Sequence, residues 1–267
     1  MKELTLPEIK EIELNILKEF HAFCEENGIR YFISHGTLLG TIRYKGFIPW
    51  DDDIDVLVPR EDYDRLIRIY KDSEQYRLFS FEKDERFLFP YAKLCDMTTR
   101  KIETGDDDGL KLGLDMDIFP LDAWDNDKKR AFREVKRQRR AMFHLNLSKL
   151  NKPDSIHPLK RLIKGILMIF SKMVGSKYYV RRLIKEARRH SYEGSAYLGG
   201  KAWNVYGKRD VLPAEVFDHP IKVEFEGCTF WAPVGYDTFL TSLYGDYLPE
   251  PPPEKRKTHH VFKAYKL

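Results

Sequence analysis

The segment Trp50-Asp51-Asp52-Asp53-Ile54-Asp55-Val56-Leu57-Val58-Pro59 decides the fold. Ile54, Val56 and Val58 alternate with Asp53, Asp55 and Leu57, the period-2 pattern of a strand with two unlike faces. Side chains two residues apart leave a strand on the same side, so Asp53 and Asp55 are expected to point together. Like charges held that close repel unless a cation sits between them. Carboxylate oxygens are hard ligands, suited to Mg²⁺ or Mn²⁺. A solvated acidic turn is the competing reading, and the continuation Ile-Asp-Val-Leu-Val argues against it.

On the N-terminal side, Ile9, Ile12, Ile16, Phe20 and Phe23 recur every three or four residues, predicting a helix over Pro7 to Asn27 that stops at Gly28. A strand over Arg30 to Ser34 then runs into His35-Gly36-Thr37-Leu38-Leu39-Gly40. Gly36 permits close backbone approach to a ligand, and Thr37 offers a hydroxyl and an N–H to a phosphate. A short helix is expected from Leu38 to Tyr44.

On the C-terminal side, Tyr63, Leu66, Ile67 and Tyr70 mark a second amphipathic helix, followed by strands over Tyr76 to Phe81 and Tyr91 to Asp96. Lys93 lies in the latter; a lone strand lysine is usually a solvated edge residue, and its alternative role is as a phosphate ligand. Leu112 to Asp122 predicts a second acidic strand, with Asp115 and Asp117 on one face and Asp117 able to supply a third carboxylate.

The chain has 267 residues, 42% apolar and 33% charged, the balance of a globular protein with a substantial core. No apolar run approaches the roughly 18 residues of a membrane span, and the first residues lack the apolar core of a secretion signal. Cys24, Cys95 and Cys228 are scattered, without zinc spacing, and read as reduced thiols of a cytoplasmic protein. The formal charge of +4 hides an asymmetry: Lys128 to Arg189 holds 20 Lys and Arg against 3 Asp and Glu, a net +17 that leaves −13 for the rest. Helices are expected there around Phe132 to Phe143 and over Leu159 to Met173. They are either a solvated cover for the core or an interfacial element lying on an anionic membrane surface.

Further on, Glu226-Gly227 between Ile221–Phe225 and Cys228–Trp231 predicts a hairpin. Pro249 and Pro251-Pro252-Pro253 stiffen a tail that ends in a basic stretch. Folded back, it would bring Arg256 and His260 to a bound phosphate; a solvated tail is the alternative.

The order Gly36-Thr37, Asp53-Ile54-Asp55-Val56, then Met116-Asp117-Ile118 resembles the nucleotidyltransferase superfamily, with His35 in place of its usual apolar residue and Thr37 in place of Ser. His35 to Gly40, Lys45 to Asp55, Asp117 to Asp122 and Tyr244-Gly245-Asp246-Tyr247 are similar to the LicD family, whose members move phosphocholine from CDP-choline onto cell-surface glycans. The related fukutin group uses CDP-ribitol.

The resemblance implies an α/β fold, a nucleotidyltransferase-like mixed sheet with surrounding helices and a basic helical insertion. It divides the chain into a catalytic core over 1–126, the insertion over 127–190, and a part over 191–267 completing the core. Asp53, Asp55 and Asp117 would be catalytic and metal-binding. The implied partners are a CDP-linked donor and a glycan or glycolipid acceptor, with no nucleic acid, in a cytoplasmic or peripheral inner-membrane setting. Two other readings stay open: an NTP-dependent nucleotidyltransferase releasing pyrophosphate, and a non-catalytic protein of anionic surfaces.

Overall fold

The computed structural model describes residues 2–103, 110–154, 157–256, 258 and 262–267. A two-residue strand β1 (Lys2–Glu3) leads to helix α1 (Leu6–Asn27). Glu8 caps it by accepting the Thr5 N–H at 2.8 Å. Gly28, at φ +58, ends it in the left-handed conformation that glycine adopts freely. Its apolar stripe buries Ile16, Leu17 and Phe20 completely, each contributing about 2 kcal/mol relative to exposure.

Strand β2 (Phe32–Ile33) precedes α2 (His35–Tyr44). This helix starts three residues earlier than the sequence predicts, because the Leu38 N–H already reaches the Ser34 carbonyl at 3.0 Å. Gly36 and Thr37 therefore lie in its first turn, not in a turn before it. Strand β3 (Asp55–Pro59) passes straight into α3 (Arg60–Ile69). The strand begins at Asp55, so Asp53 lies in the irregular segment leading in, and the predicted alternation is two residues too long.

Strands β4 (Tyr76–Phe79), β5 (Ala92–Asp96), β6 (Thr99–Glu103) and β7 (Leu114–Ala123) follow. The basic segment forms α4 (Lys128–Lys149), α5 (Pro158–Val174) and α6 (Ser176–Ala187), one helix more than expected. The C-terminal part supplies β8 (Tyr197–Gly199), β9 (Leu212–Pro213), the hairpin β10 (Pro220–Phe225) and β11 (Cys228–Pro233), helix α7 (Tyr236–Tyr244) and β12 (Phe262–Lys266). Positive φ at both Glu226 and Gly227 gives the hairpin the expected tight turn.

The central sheet runs β2-β3-β7-β5-β4 and is mixed: β3 and β7 are parallel, the other pairs antiparallel. The far end of β7 pairs with β8, which pairs with β9. Helix α1 packs on β7 and β5, and α3 on β3 and β7. The α3 start is locked by Arg60, whose guanidinium donates to both oxygens of buried Asp122 at 2.7 and 3.1 Å. The main core joins α1, the sheet, the hairpin and α7, while α4 and α6 share a smaller one around Leu145, Tyr179 and Leu183. The α/β fold and mixed sheet expected from the sequence are those observed. No described helix is long and apolar enough to cross a membrane.

Candidate active site

Parallel pairing of β3 with β7 sets Asp55 opposite Asp117. Asp53, Asp55 and Asp117 border a chamber of about 190 Å³ together with His35, Phe119, Gly200, Trp203, Val205 and Tyr206. Asp53 and Asp55 also border a larger cleft of about 950 Å³, whose wall includes Gly36, Trp50, Asp51, Tyr244 and Thr258. The three acids thus converge on connected space where β3 begins beside β7. Ligand oxygens of Asp51, Asp52 and Asp53 additionally lie within 4.8 Å of one another.

Burial, then repulsion from Asp53, Asp117 and Asp51, pushes the Asp55 carboxyl well above its ordinary range. Burial also raises Asp117, against the pull of Lys93. A cavity that gathers this many carboxylates destabilises their charged forms, and a divalent cation relieves that. The donors are all hard oxygens, so the residues present fit Mg²⁺ or Mn²⁺.

Lys93 is not at an edge: β5 lies between β7 and β4, and the side chain is buried. Its Nζ bridges Asp115 at 2.5 Å and Asp117 at 2.6 Å. Asp115 also pairs with Lys101 at 3.0 Å. Burial opposes ionisation of Asp115, but Lys101 and Lys93 outweigh it and bring its pKa down to about 2. Asp115 and Asp117 share a face as predicted, yet only Asp117 reaches the chamber; Asp115 anchors the two lysines behind it. That difference was not readable from spacing, because both lysines come from other strands.

Thr37 is buried, and its Oγ accepts the Asp55 N–H at 2.8 Å, so it fixes the start of β3. Gly36 is at the cleft wall: a Cβ there would come within 2.8 Å of Asp51 Oδ2. His35 has φ +46, a left-handed conformation unusual for a non-glycine residue, and its ring stacks on Tyr206 with centroids 5.5 Å apart. Burial lowers its pKa to about 4, so the imidazole is neutral at physiological pH. Trp203 packs on Tyr91 at 5.5 Å, and Tyr91 on Phe119 at 4.6 Å, completing an aromatic wall beside the acids.

The tail does fold back. Thr258 Oγ donates to Asp52 at 3.0 Å. Arg256 stacks over Trp50 at 5.7 Å, donates to the Pro251 carbonyl at 2.8 Å and pairs with Glu250 at 2.8 Å. It therefore sits at the rim, held by protein partners. His260 lies outside the described residues. Sequence reasoning missed Thr258 and Tyr244, which the Tyr-Gly-Asp-Tyr motif pointed to without a role.

A second acidic group, Asp125, Glu134 and His190, is internally satisfied: Glu134 accepts from buried Lys201 at 2.9 Å and pairs with His190 at 2.8 Å. It reads as a structural charge cluster.

A family model described as "LicD/FKTN/FKRP, nucleotidyltransferase domain" matches residues 28–160, the span carrying every acid of the site. The chain is 36% identical over 276 aligned positions to the lipopolysaccharide cholinephosphotransferase LicD of Haemophilus influenzae, covering 100% of both chains. Shorter matches link it to two Rickettsia proteins without assigned function: 42% identity to RP689 of R. prowazekii over 22% of this chain and 23% of the relative, and 40% to RT0683 of R. typhi over 23% and 20%. With the carboxylate pair in register and the likeness running from end to end, the chain belongs to the LicD family and is a transferase of that type.

Proposed function

We propose that the protein transfers phosphocholine, or a related alcohol phosphate, from a CDP-linked donor to a hydroxyl of a cell-surface glycan or its lipid-linked precursor, releasing CMP. The observation that carries this is the in-register pair Asp55 and Asp117 at a cavity shared with Asp53, in a chain alike over its whole length to a cholinephosphotransferase. Asp53, Asp55 and Asp117 would hold a divalent ion, Mg²⁺ or Mn²⁺, which when bound would neutralise charge on the diphosphate. Gly36, without a side chain to block the cleft, lets the donor phosphates approach the first turn of α2, whose N-terminal end favours anions. Thr37 acts one step back, by holding Asp55.

The acceptor oxygen attacks the phosphorus that bears choline. The bond from that phosphorus to CMP breaks, CMP leaves with the electron pair, and the hydroxyl proton passes to Asp117, which Lys93 orients. Trp203, Tyr206 and Phe119 give the quaternary ammonium a π-rich wall next to the acids. Lys93 contributes through Asp117, and Arg256 at the rim screens the donor's charge. The segment 127–190 is read as an insertion between two parts of one catalytic core, and the reaction is placed at the inner face of the membrane.

Incubation of the purified chain with CDP-choline, Mg²⁺ or Mn²⁺ and extracted glycan precursors tests this by ³¹P NMR and mass spectrometry. Divalent-dependent CMP release with phosphocholine added to the glycan is expected. Pyrophosphate release from an NTP, with CDP-choline untouched, would replace this reading with the nucleotidyl-transfer one.

A further inference from the structure

Helix α5 is built inside out. A helix on a soluble protein turns its apolar stripe to the core. Here Leu159, Leu162, Ile163, Ile166, Ile169 and Phe170, spaced at three and four residues, form one stripe, and all are exposed. Met173 continues it at 81% exposure, and Ile166 at its middle is 59% exposed. The opposite side of the helix, carrying Met168 and Ser171, is the buried one; Ser171 Oγ meets His144 Nδ1 on α4 at 2.8 Å. His144 packs against both Phe170 and exposed Phe143, so the apolar surface continues onto α4. An uncovered apolar face of this extent marks a contact surface.

The flanks identify the partner. Lys160, Arg161 and Lys172 on α5 are exposed beside the stripe, within the segment of net charge +17. A second copy of the chain would set that charge against itself, which disfavours self-association through this face. A bilayer with anionic headgroups satisfies both halves of the surface, hydrocarbon for the stripe and lipid phosphates for the cations. At about 25 Å for its 17 residues, and with four Lys and Arg, α5 suits a helix lying in the interface plane, not across it.

We propose that α5 is a membrane-docking helix that seats the protein on an anionic bilayer. It rests on the proposed function only in naming a lipid-linked acceptor as what the docking brings within reach of the cleft.

Flotation of the full chain with vesicles of phosphatidylcholine alone, or with phosphatidylglycerol added, tests it. Binding to the anionic vesicles, weakened at least about 10-fold in Ile166→Glu/Phe170→Glu and also reduced in Lys160→Glu/Arg161→Glu, is expected. Both double variants alter exposed positions, so circular dichroism should match the parent. CMP release with a water-soluble acceptor should be unchanged in both, while transfer to a vesicle-embedded acceptor falls. Negligible parent binding to both vesicles overturns the proposal. So does a parent dimer, seen by light scattering, that Ile166→Glu dissociates while vesicle binding is absent. Vesicle binding without any CDP-choline turnover would leave the docking helix standing and remove the proposed reaction.

Discussion

Asp55 and its register partner Asp117 stand on adjacent parallel strands, and among the described residues Asp117 alone of the two has a lysine, Lys93, within ion-pair distance. Asp55 of β3 and Asp115 of β7 then predict opposite consequences of the same substitution. Asp55→Asn removes like-charge repulsion; it should lower turnover about 10²- to 10³-fold while leaving the melting temperature without divalent ion unchanged or higher. Asp115→Asn removes the carboxylate that buried Lys93 and Lys101 share, and should destabilise by about 3–5 kcal/mol. Calorimetry and CMP release on both variants check this; a destabilised Asp55→Asn would contradict it.

Gly40 sits where α2 crosses the loop that delivers the acids. A Cβ there would lie 2.4 Å from the Gly46 carbonyl oxygen and 2.9 Å from the Ile48 nitrogen, both backbone atoms unable to swing aside. Gly40→Ala should cost about 1–3 kcal/mol by overpacking and shift the loop carrying Trp50 and Asp51. Urea titration measures the first effect. Reduced turnover at temperatures where the variant is fully folded measures the second.

The aromatic wall makes a prediction about the donor. Trp203→Ala should raise KM for CDP-choline about 2- to 30-fold, the range of a desolvated cation–π contact, and Trp203→Phe should recover part of it. Trp50, whose ring already faces Arg256, should matter less for choline. Comparison with a CDP-linked donor lacking the quaternary ammonium separates the ring's contribution to choline from its packing on Tyr91.

Asp210 links pH to stability at a distance from the acids. Burial raises its pKa from 3.8 to about 7, against the Gly200 N–H and the Asn204 amide, which donate to Oδ2 at 3.1 and 3.2 Å. The folded protein therefore keeps this proton in a range where the unfolded chain has lost it. Stability from this group falls as pH rises from about 4 to about 7, by about 4 kcal/mol in total. Asp210→Asn should flatten that slope and melt higher than the parent at about pH 8; denaturation curves across the range decide it.

The legible parts were those that short-range chemistry fixes. The Glu226-Gly227 hairpin, the α1 stripe with its glycine stop and the acids of β7 all followed from local spacing and turn preference. The start of β3 did not, because it is set by Thr37 and Ser34, which bond Asp55 from another element. The burial of Lys93 is not legible in the sequence, since nothing local reveals that β5 is flanked on both sides. Helix α6 did carry a signal, Tyr179, Val180, Leu183 and Ile184 at helical spacing, that the charge of its surroundings masked. The α5 periodicity was plain, but periodicity gives a stripe and not the direction it faces.

Strand β12 lies between β1 and β6, with Lys266 opposite Lys2. The pairing joins positions 264 residues apart, so this sheet cannot close until β12 has left the ribosome. Thr258, which reaches Asp52 from just before that strand, arrives with it. A nascent chain thus carries all its acids well before the cleft acquires its final wall, and an interrupted one would hold the chemistry without the enclosure.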